Sequence, residues 1–247
     1  MVKGCASARG LARTSEQPKG HHCHSLILSV VAAVLRRRPA TFFEVATRED
    51  GSCVEVLALR HGQSEWNAEG RWQGQADSPL TSLGEQQALF AAQQLLDSGE
   101  FFDTIASSDL QRARRTAEII AEIVGNGIVK LRTEFRERSA GPWQGLTRAE
   151  IEMRWPDAIA QKRWPDGYES DESVISRVVP AIYELATTSD CLLVIAHAGL
   201  IRALDRASNA PPTSVPNLSG RWYRLEERLV PGNIVNFSAE ATSHGIE

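Results

Sequence analysis

Several classes of function are excluded by what this 247-residue chain has little of. Cysteine is sparse, and Cys5, Cys23, Cys53 and Cys191 form no C-x-x-C pair, so no disulfide framework is expected. Cys191 opens an apolar run and reads as a buried thiol, which fits a reducing cytoplasm. No Gly-rich loop ending in GK[ST], no H-E-x-x-H and no EF-hand loop occurs. Nothing therefore points to a nucleotide or metal mechanism, and no cofactor and no metal site is expected. Positive charge is not in excess: 27 Lys and Arg stand against 31 Asp and Glu, a net charge of −4. General binding to nucleic acid or to an acidic membrane is not expected, so any anionic ligand must be met by cations gathered locally. The longest apolar run, "LILSVVAAVL" at 26–35, is about half of what a membrane span needs.

What is present divides in two. Residues 1–25 are rich in Gly, Ser, Lys, Arg and His, with Glu16 as the one acid; the apolar run follows and ends in Arg36, Arg37, Arg38 and Pro39. A basic start and an apolar middle suit a signal peptide, but arginines stand where small residues should mark cleavage. A transit peptide, or a translation start further on near Val54, are alternatives. The favoured reading of 1–52 is a poorly ordered extension carrying a short helix. His21, His22, Cys23 and His24 are metal-binding residue types without further ligands near them, and no metal site is assigned there.

From residue 53 the composition is that of an ordinary soluble domain. "VEVLAL" (54–59), "DTIAS" (103–107), "IVKLR" (128–132) and "CLLVIA" (191–196) read as strands; the last is apolar throughout, as a strand covered on both faces would be. Between them lie a helix from Ser82 to about Asp97, with Ser82 and Glu85 spaced as a capping box, and one with Leu110, Ala113, Ala117, Ile120 and Val124 inward. A third turns Val174, Val178, Ala181, Ile182 and Leu185 inward and carries Pro180 as a kink. Strands alternating with helices predict an α/β fold, a mostly parallel sheet between helical layers. "GRWYRLEER" (220–228) is expected to add an edge strand, and 238–247 form a short tail.

In an open parallel sheet, ligands bind at the carboxyl ends of the strands. The first strand ends in "RHG" and the fourth in "HAG" (197–199), so His61 and His197 are expected at one edge. "SSDLQRARRTAE" (107–118) brings Arg112 to that edge in the first turn of its helix, with Arg114 and Arg115 toward solvent. "EFRERSAGPWQGLT" (134–147) brings two carboxylates, Glu134 and Glu137. Guanidinium forks hold phosphate bidentately, a fixed imidazole can attack phosphorus, and a carboxylic acid can protonate a departing oxygen.

Four stretches in order, "LRHGQSEWNAEGRWQGQADSPLTSLGEQQA" (59–88), "SSDLQRARRTAEII" (107–120), "FRERSAGPWQGLT" (135–147) and "VIAHAGLIRAL" (194–204), resemble the signature blocks of the histidine phosphatase superfamily, which includes cofactor-dependent phosphoglycerate mutases. The resemblance covers 53–237 and implies a three-layer α/β/α sandwich and a phosphohistidine intermediate without metal. It implies that His61 is the nucleophile, that Arg60, Arg112 and His197 hold the phosphoryl group, and that Ser64, Asn67 and Ala198 contact it. Glu137, by its interval to Gly141, matches the acid position; Glu134 does not. Gln144 stands where the family often has an acid, and Ala140 and Pro142 are also unusual. Trp72 and Trp143 either wall the pocket or pack the core, and the sequons at Asn217 and Asn236 carry no meaning in a cytoplasmic protein.

The expected activity is hydrolysis of a small phosphorylated metabolite, with no nucleic-acid or membrane partner and with a homodimer left open. A mutase is the first alternative, disfavoured because the interval from Thr147 to Asp171, where mutases carry a long insertion, is short. A non-catalytic binder of phosphorylated ligands is the second, disfavoured because nucleophile and acid are both present.

Overall fold

A computed structural model describes residues 53–125 and 127–238; the N-terminal extension, the His21–His24 cluster and the C-terminal tail expected from the sequence lie outside them, Ser238 apart. Along β1 (Val54–Arg60) side chains alternate between two faces, as a strand requires. Val56 and Ala58 enter one apolar cluster and Leu57 and Leu59 the other. The second cluster is completed by α2 (Ser82–Asp97) and α3 (Gln111–Val124), through Ala91, Leu95, Ala117 and Ile120. The first is completed by α5 (Asp171–Ala186) and α6 (Ala198–Ala207), through Val178, Ile182, Leu200 and Leu204. The result is a three-layer α/β/α arrangement. Two short helices, α1 (Glu65–Ala68) and α4 (Arg148–Arg154), lie outside these layers. Among the described residues no helix is long and apolar enough to cross a membrane.

The sheet adds β2 (Thr104–Ser108), β3 (Lys130–Arg132), β4 (Cys191–Ala196), β5 (Ser219–Leu225) and β6 (Leu229–Asn236), in the order β3-β2-β4-β1-β5-β6. The first four strands in that order run parallel, and β5 and β6 are antiparallel to their neighbours. β4, buried at every position, pairs with both β1 and β2, which explains why its sequence lacks polar alternation.

Three expectations need correction. The cap of α2 is Thr81, whose hydroxyl accepts from the Gly84 N–H; Ser82 is already helical, and Glu85 pairs instead with Arg115. Both residues at 81 and 82 are good caps, so spacing alone chose wrongly. "GRWYRLEER" is not an edge: β5 lies between β1 and β6. The true edge, β6, is largely exposed and carries Pro231 and Gly232, which an edge strand tolerates but which read as turn residues. "IVKLR" contributes only Lys130–Arg132, an exposed strip at the opposite edge. The close approach of β5 to β1 is why position 220 is glycine: a Cβ there would lie 1.9 Å from the Ala58 oxygen.

One buried polar cluster ties β5 to α6. Asp205 accepts from Arg221 Nε (2.8 Å) and from the Tyr223 hydroxyl (2.6 Å), while Arg221 also donates to Gly232 O and Thr213 Oγ1. Arg221 and Asp205 are both buried. Removing one partner strands the other charge in the core. Asp205→Ala is therefore expected to lower unfolding free energy by about 3–5 kcal/mol in urea titrations, with much of the loss recovered when Arg221→Leu is added. A loss under about 1 kcal/mol would show that the pair is solvated rather than buried.

Candidate active site

β1 and β4 are adjacent and parallel, with Arg60 opposite Ala196. The His61 N–H continues the ladder to the Ala196 oxygen (3.1 Å), so His61 and His197 follow neighbouring strands at the same level. Their ring centroids are 5.1 Å apart. His61 Nδ1 lies 2.6 Å from the Gly62 carbonyl oxygen. A carbonyl only accepts, so Nδ1 carries the proton and Nε2 keeps its lone pair. Gly62 is itself pinned, its N–H donating to Thr116 Oγ1 (3.1 Å) on α3. A Cβ on Gly62 would lie 2.4 Å from the Gly84 oxygen, and one on Gly84 would lie 2.0 Å from the Gln63 oxygen. The loop after β1 thus crosses the first turn of α2 at a distance that only glycine permits on both sides.

Arg60 donates through Nη1 to Val215 O (2.8 Å), and Arg112 through Nη1 and Nη2 to Ala76 O (2.6 Å) and Gly74 O (2.9 Å). Arg60 Nε, Arg112 Nε and both ring nitrogens of His197 are buried without a protein partner. Burial lowers both guanidinium pKa values to about 10, so each remains a cation at neutral pH. Burial, reinforced by Arg112 and Arg60, holds both imidazoles well below the ordinary histidine value. Buried donors left unpaired are costly, and an anion held among them would offset that cost.

Glu137 stands at the N-terminus of α6. Its carboxylate accepts from the Gly199 N–H (2.9 Å) and the Arg138 N–H (2.8 Å), and a Cβ on Gly199 would lie 2.4 Å from it. Arg138 anchors this turn by donating to Asp171 (2.5 Å) and to Gly199 O (3.1 Å), with its guanidinium 5.5 Å from the Tyr168 ring centroid.

Arg60, His61, Asn67, Arg112, Glu137 and Ala198 all line one pocket of about 770 Å³. Seven Lys and Arg side chains line it against three acids, in a chain whose net charge is −4. His197, fully buried, meets it through His61. Ser64 does not line it: its hydroxyl caps α1 and donates to Gln73 Oε1 (3.0 Å), and it is Gln73 that reaches the wall. Glu134 is also absent from the wall. Trp72 lines the pocket, whereas Trp143 is fully buried among Trp72, Trp155, Trp164 and Tyr168. Gln144 Oε1 accepts from the N–H groups of Gln75 and Ala76 (3.1 Å each), so an uncharged oxygen does there what a carboxylate would. Among the described residues no group of three or more His, Cys, Asp or Glu is placed to hold a metal ion.

Several participants were not found from the sequence. Asn217 Nδ2 donates to His61 O (2.9 Å) and contacts Asn67 Oδ1 (3.3 Å), tying the approach to β5 to the loop after β1. Arg138, Arg202, Arg206, Trp164 and Tyr168 line the pocket as well. Only the i, i+4 spacing of Ala198, Arg202 and Arg206 along one helix face gave any sign of this.

Residues 56–222 match the model of the histidine phosphatase superfamily (branch 1), and the chain belongs to that superfamily. It is 38% identical over 189 residues to a glucosyl-3-phosphoglycerate phosphatase of Mycolicibacterium vanbaalenii, covering 69% of this chain and 83% of that one. It is 35% identical over 162 residues to a 2,3-bisphosphoglycerate-dependent phosphoglycerate mutase of Methylorubrum extorquens, covering 60% and 76%. Among solved structures, mycobacterial glucosyl-3-phosphoglycerate phosphatase with VO3 superposes with a TM-score of 0.65 at 34% identity, covering 72% of this chain and 97% of that one.

His61 and His197 are the only histidines among the described residues, and both are shifted in the same direction. Each binds a proton less readily folded than unfolded, so stability is full above about pH 6.5 and falls as pH drops below it. The arginine-held carboxylates Asp109, Glu169 and Asp171 are pushed down and add their losses only at lower pH, near 4 and below. Between pH 6.5 and 5, unfolding free energy should fall with a slope approaching about 1.4 kcal/mol per pH unit for each histidine. The slope should flatten in the double variant His61→Ala, His197→Ala. An unchanged slope in that variant would place the lability elsewhere.

Proposed function

We propose that this member of the histidine phosphatase superfamily, a phosphoric monoester hydrolase, cleaves its ester by phosphoryl transfer to His61 Nε2 and then to water, without a metal. The observation that carries the reading is the neutral imidazole of His61, with Nδ1 engaged by Gly62 and Nε2 free, set among buried cations in one pocket. Arg60, Arg112 and His197 would hold the phosphoryl oxygens and stabilise their charge, the part that Mg²⁺ plays in kinases. The P–Nε2 bond forms as the ester P–O bond breaks, and the departing alkoxide takes a proton from Glu137. Water then attacks the phosphohistidine, Glu137 accepts its proton, and phosphate and neutral His61 are regenerated. Residues 53–237 form the catalytic unit in this reading.

Glucosyl-3-phosphoglycerate is the proposed substrate, supported by the likeness to phosphatases of that name and by an aromatic wall suited to a ring. Trp164 and Tyr168, stacked with centroids 4.6 Å apart, line the pocket with Trp72. Hydrolysis is favoured over mutase activity because the interval from Thr147 to Asp171 is short and holds α4 as its one helix before α5.

The full chain should release inorganic phosphate from glucosyl-3-phosphoglycerate in EDTA, and yield no 2-phosphoglycerate from 3-phosphoglycerate with 2,3-bisphosphoglycerate present. Loss of activity on chelation, restored by a divalent metal, would contradict the mechanism. Glu137→Gln should lower kcat/KM by about 10²–10⁴-fold for these alkyl esters and much less for p-nitrophenyl phosphate, whose leaving group is already a stable anion. Glu134→Gln should show no such split. Equal losses on both substrates would make Glu137 a structural carboxylate instead.

A further inference from the structure

Most of the pocket's other cations are committed to partners. Arg71 is held by Glu69, Glu150 and Gly145 O, Arg138 by Asp171 and Gly199 O, and Arg206 by Asp171. Arg202 forms no hydrogen bond or ion pair with any described residue, yet it lines the same pocket. Its position is set by α6. Ala198, Arg202 and Arg206 follow at i, i+4 and i+8 on one face, a rise of about 6 Å per step. Ala198 adjoins His197 and the phosphoryl-binding groups, while the charge of Arg206 is already met by Asp171. Arg202 stands between them, one helical turn from the phosphoryl site, and near enough to Arg60 for their charges to repel. Two cations brought together beside a third, Arg112, are unfavourable in the free protein. They suit a ligand carrying a second negative group beyond its phosphate.

We propose that Arg202 is a specificity-determining residue that binds a substrate carboxylate about one helical turn from the transferring phosphoryl group. It selects phosphorylated hydroxy acids over phosphorylated neutral alcohols. The inference rests on the phosphatase reading above and adds to it the residue that recognises the acid. A guanidinium fork matches a carboxylate geometrically as well as electrostatically. Arg112 is buried and Arg60 half-buried where they line the pocket with His61, whereas Arg202 lines the same pocket as an exposed side chain, free to meet the remainder of a substrate. The aromatic wall of Trp164 and Tyr168 is left for the part of the substrate that carries no charge.

The test compares D-3-phosphoglycerate with sn-glycerol 3-phosphate, which has a hydroxymethyl group in place of the carboxylate, and with p-nitrophenyl phosphate. The wild-type full chain should prefer phosphoglycerate over glycerol phosphate by about 10- to 100-fold in kcat/KM, the range of a charge-assisted hydrogen-bonded contact. Arg202→Gln should erase most of that preference, chiefly through KM for phosphoglycerate, and lower the other two substrates by no more than a few-fold. Arg202→Lys should recover part of it. The side chain is exposed, so the melting temperature should not change, and this is measured alongside. Equal losses on all three esters in Arg202→Gln, or no wild-type preference for the acid, would overturn the assignment of Arg202 alone. Failure of the folded wild-type chain to release phosphate from any of the three would remove the phosphatase reading and this inference with it.

Discussion

A 2.6 Å hydrogen bond from His61 Nδ1 to the carbonyl of Gly62, its own neighbour, fixes which ring nitrogen is free. Much of the surrounding structure serves to keep that carbonyl still. Thr116 on α3 takes the Gly62 N–H, the backbone of Gly84 on α2 closes against Gly62 at glycine-only distance, and Asn217 before β5 holds the carbonyl of His61. Three elements remote in sequence thus converge on two residues. An imidazole mounted in this way has lost the rotational freedom that would otherwise be given up on reaching the transition state.

The second constraint is electrostatic. Hydrolysis of phosphate monoesters is so slow unaided that acceleration can reach ~10²¹-fold. In the proposed mechanism positioning can supply roughly 7–11 kcal/mol and a general acid about 10²–10⁴-fold, which leaves much of the rest to fixed charge. A chain of net charge −4 can supply that charge only by concentrating it, and the pocket sets seven cationic side chains against three acids. The arrangement is unfavourable while the pocket holds no anion. It is sustained by well-packed layers on both faces of the sheet and by buried pairs such as Arg221–Asp205 that lie away from the chemistry.

The parallel core, and the edge at which His61 and His197 meet, were legible in the sequence because both follow from local patterns. An unbroken apolar run gives β4, alternating burial gives β1, and each ends in a histidine whose place is set by the strand before it. Arg112 was legible for a similar reason, standing in the first turn of a helix that begins at the same edge. What escaped depended on contacts between distant segments. Nothing around Asn217 reveals that it reaches His61, over 150 positions away in sequence. Ser64 matched a ligand motif, yet its hydroxyl turns inward to cap α1 and hold Gln73. The choice between Thr81 and Ser82 as a cap, and the passage of Pro231 and Gly232 through an edge strand, rest on tertiary placement that local propensity does not encode.

The proposed mechanism requires covalent transfer to one nitrogen, and trapping that intermediate tests it most directly. Full-length chain quenched during turnover of radiolabelled ester should carry phosphate that is base-stable and acid-labile, located by peptide mapping at His61 and absent from His61→Ala. Label at the wild-type level in that variant, or mapped to another residue, would contradict it.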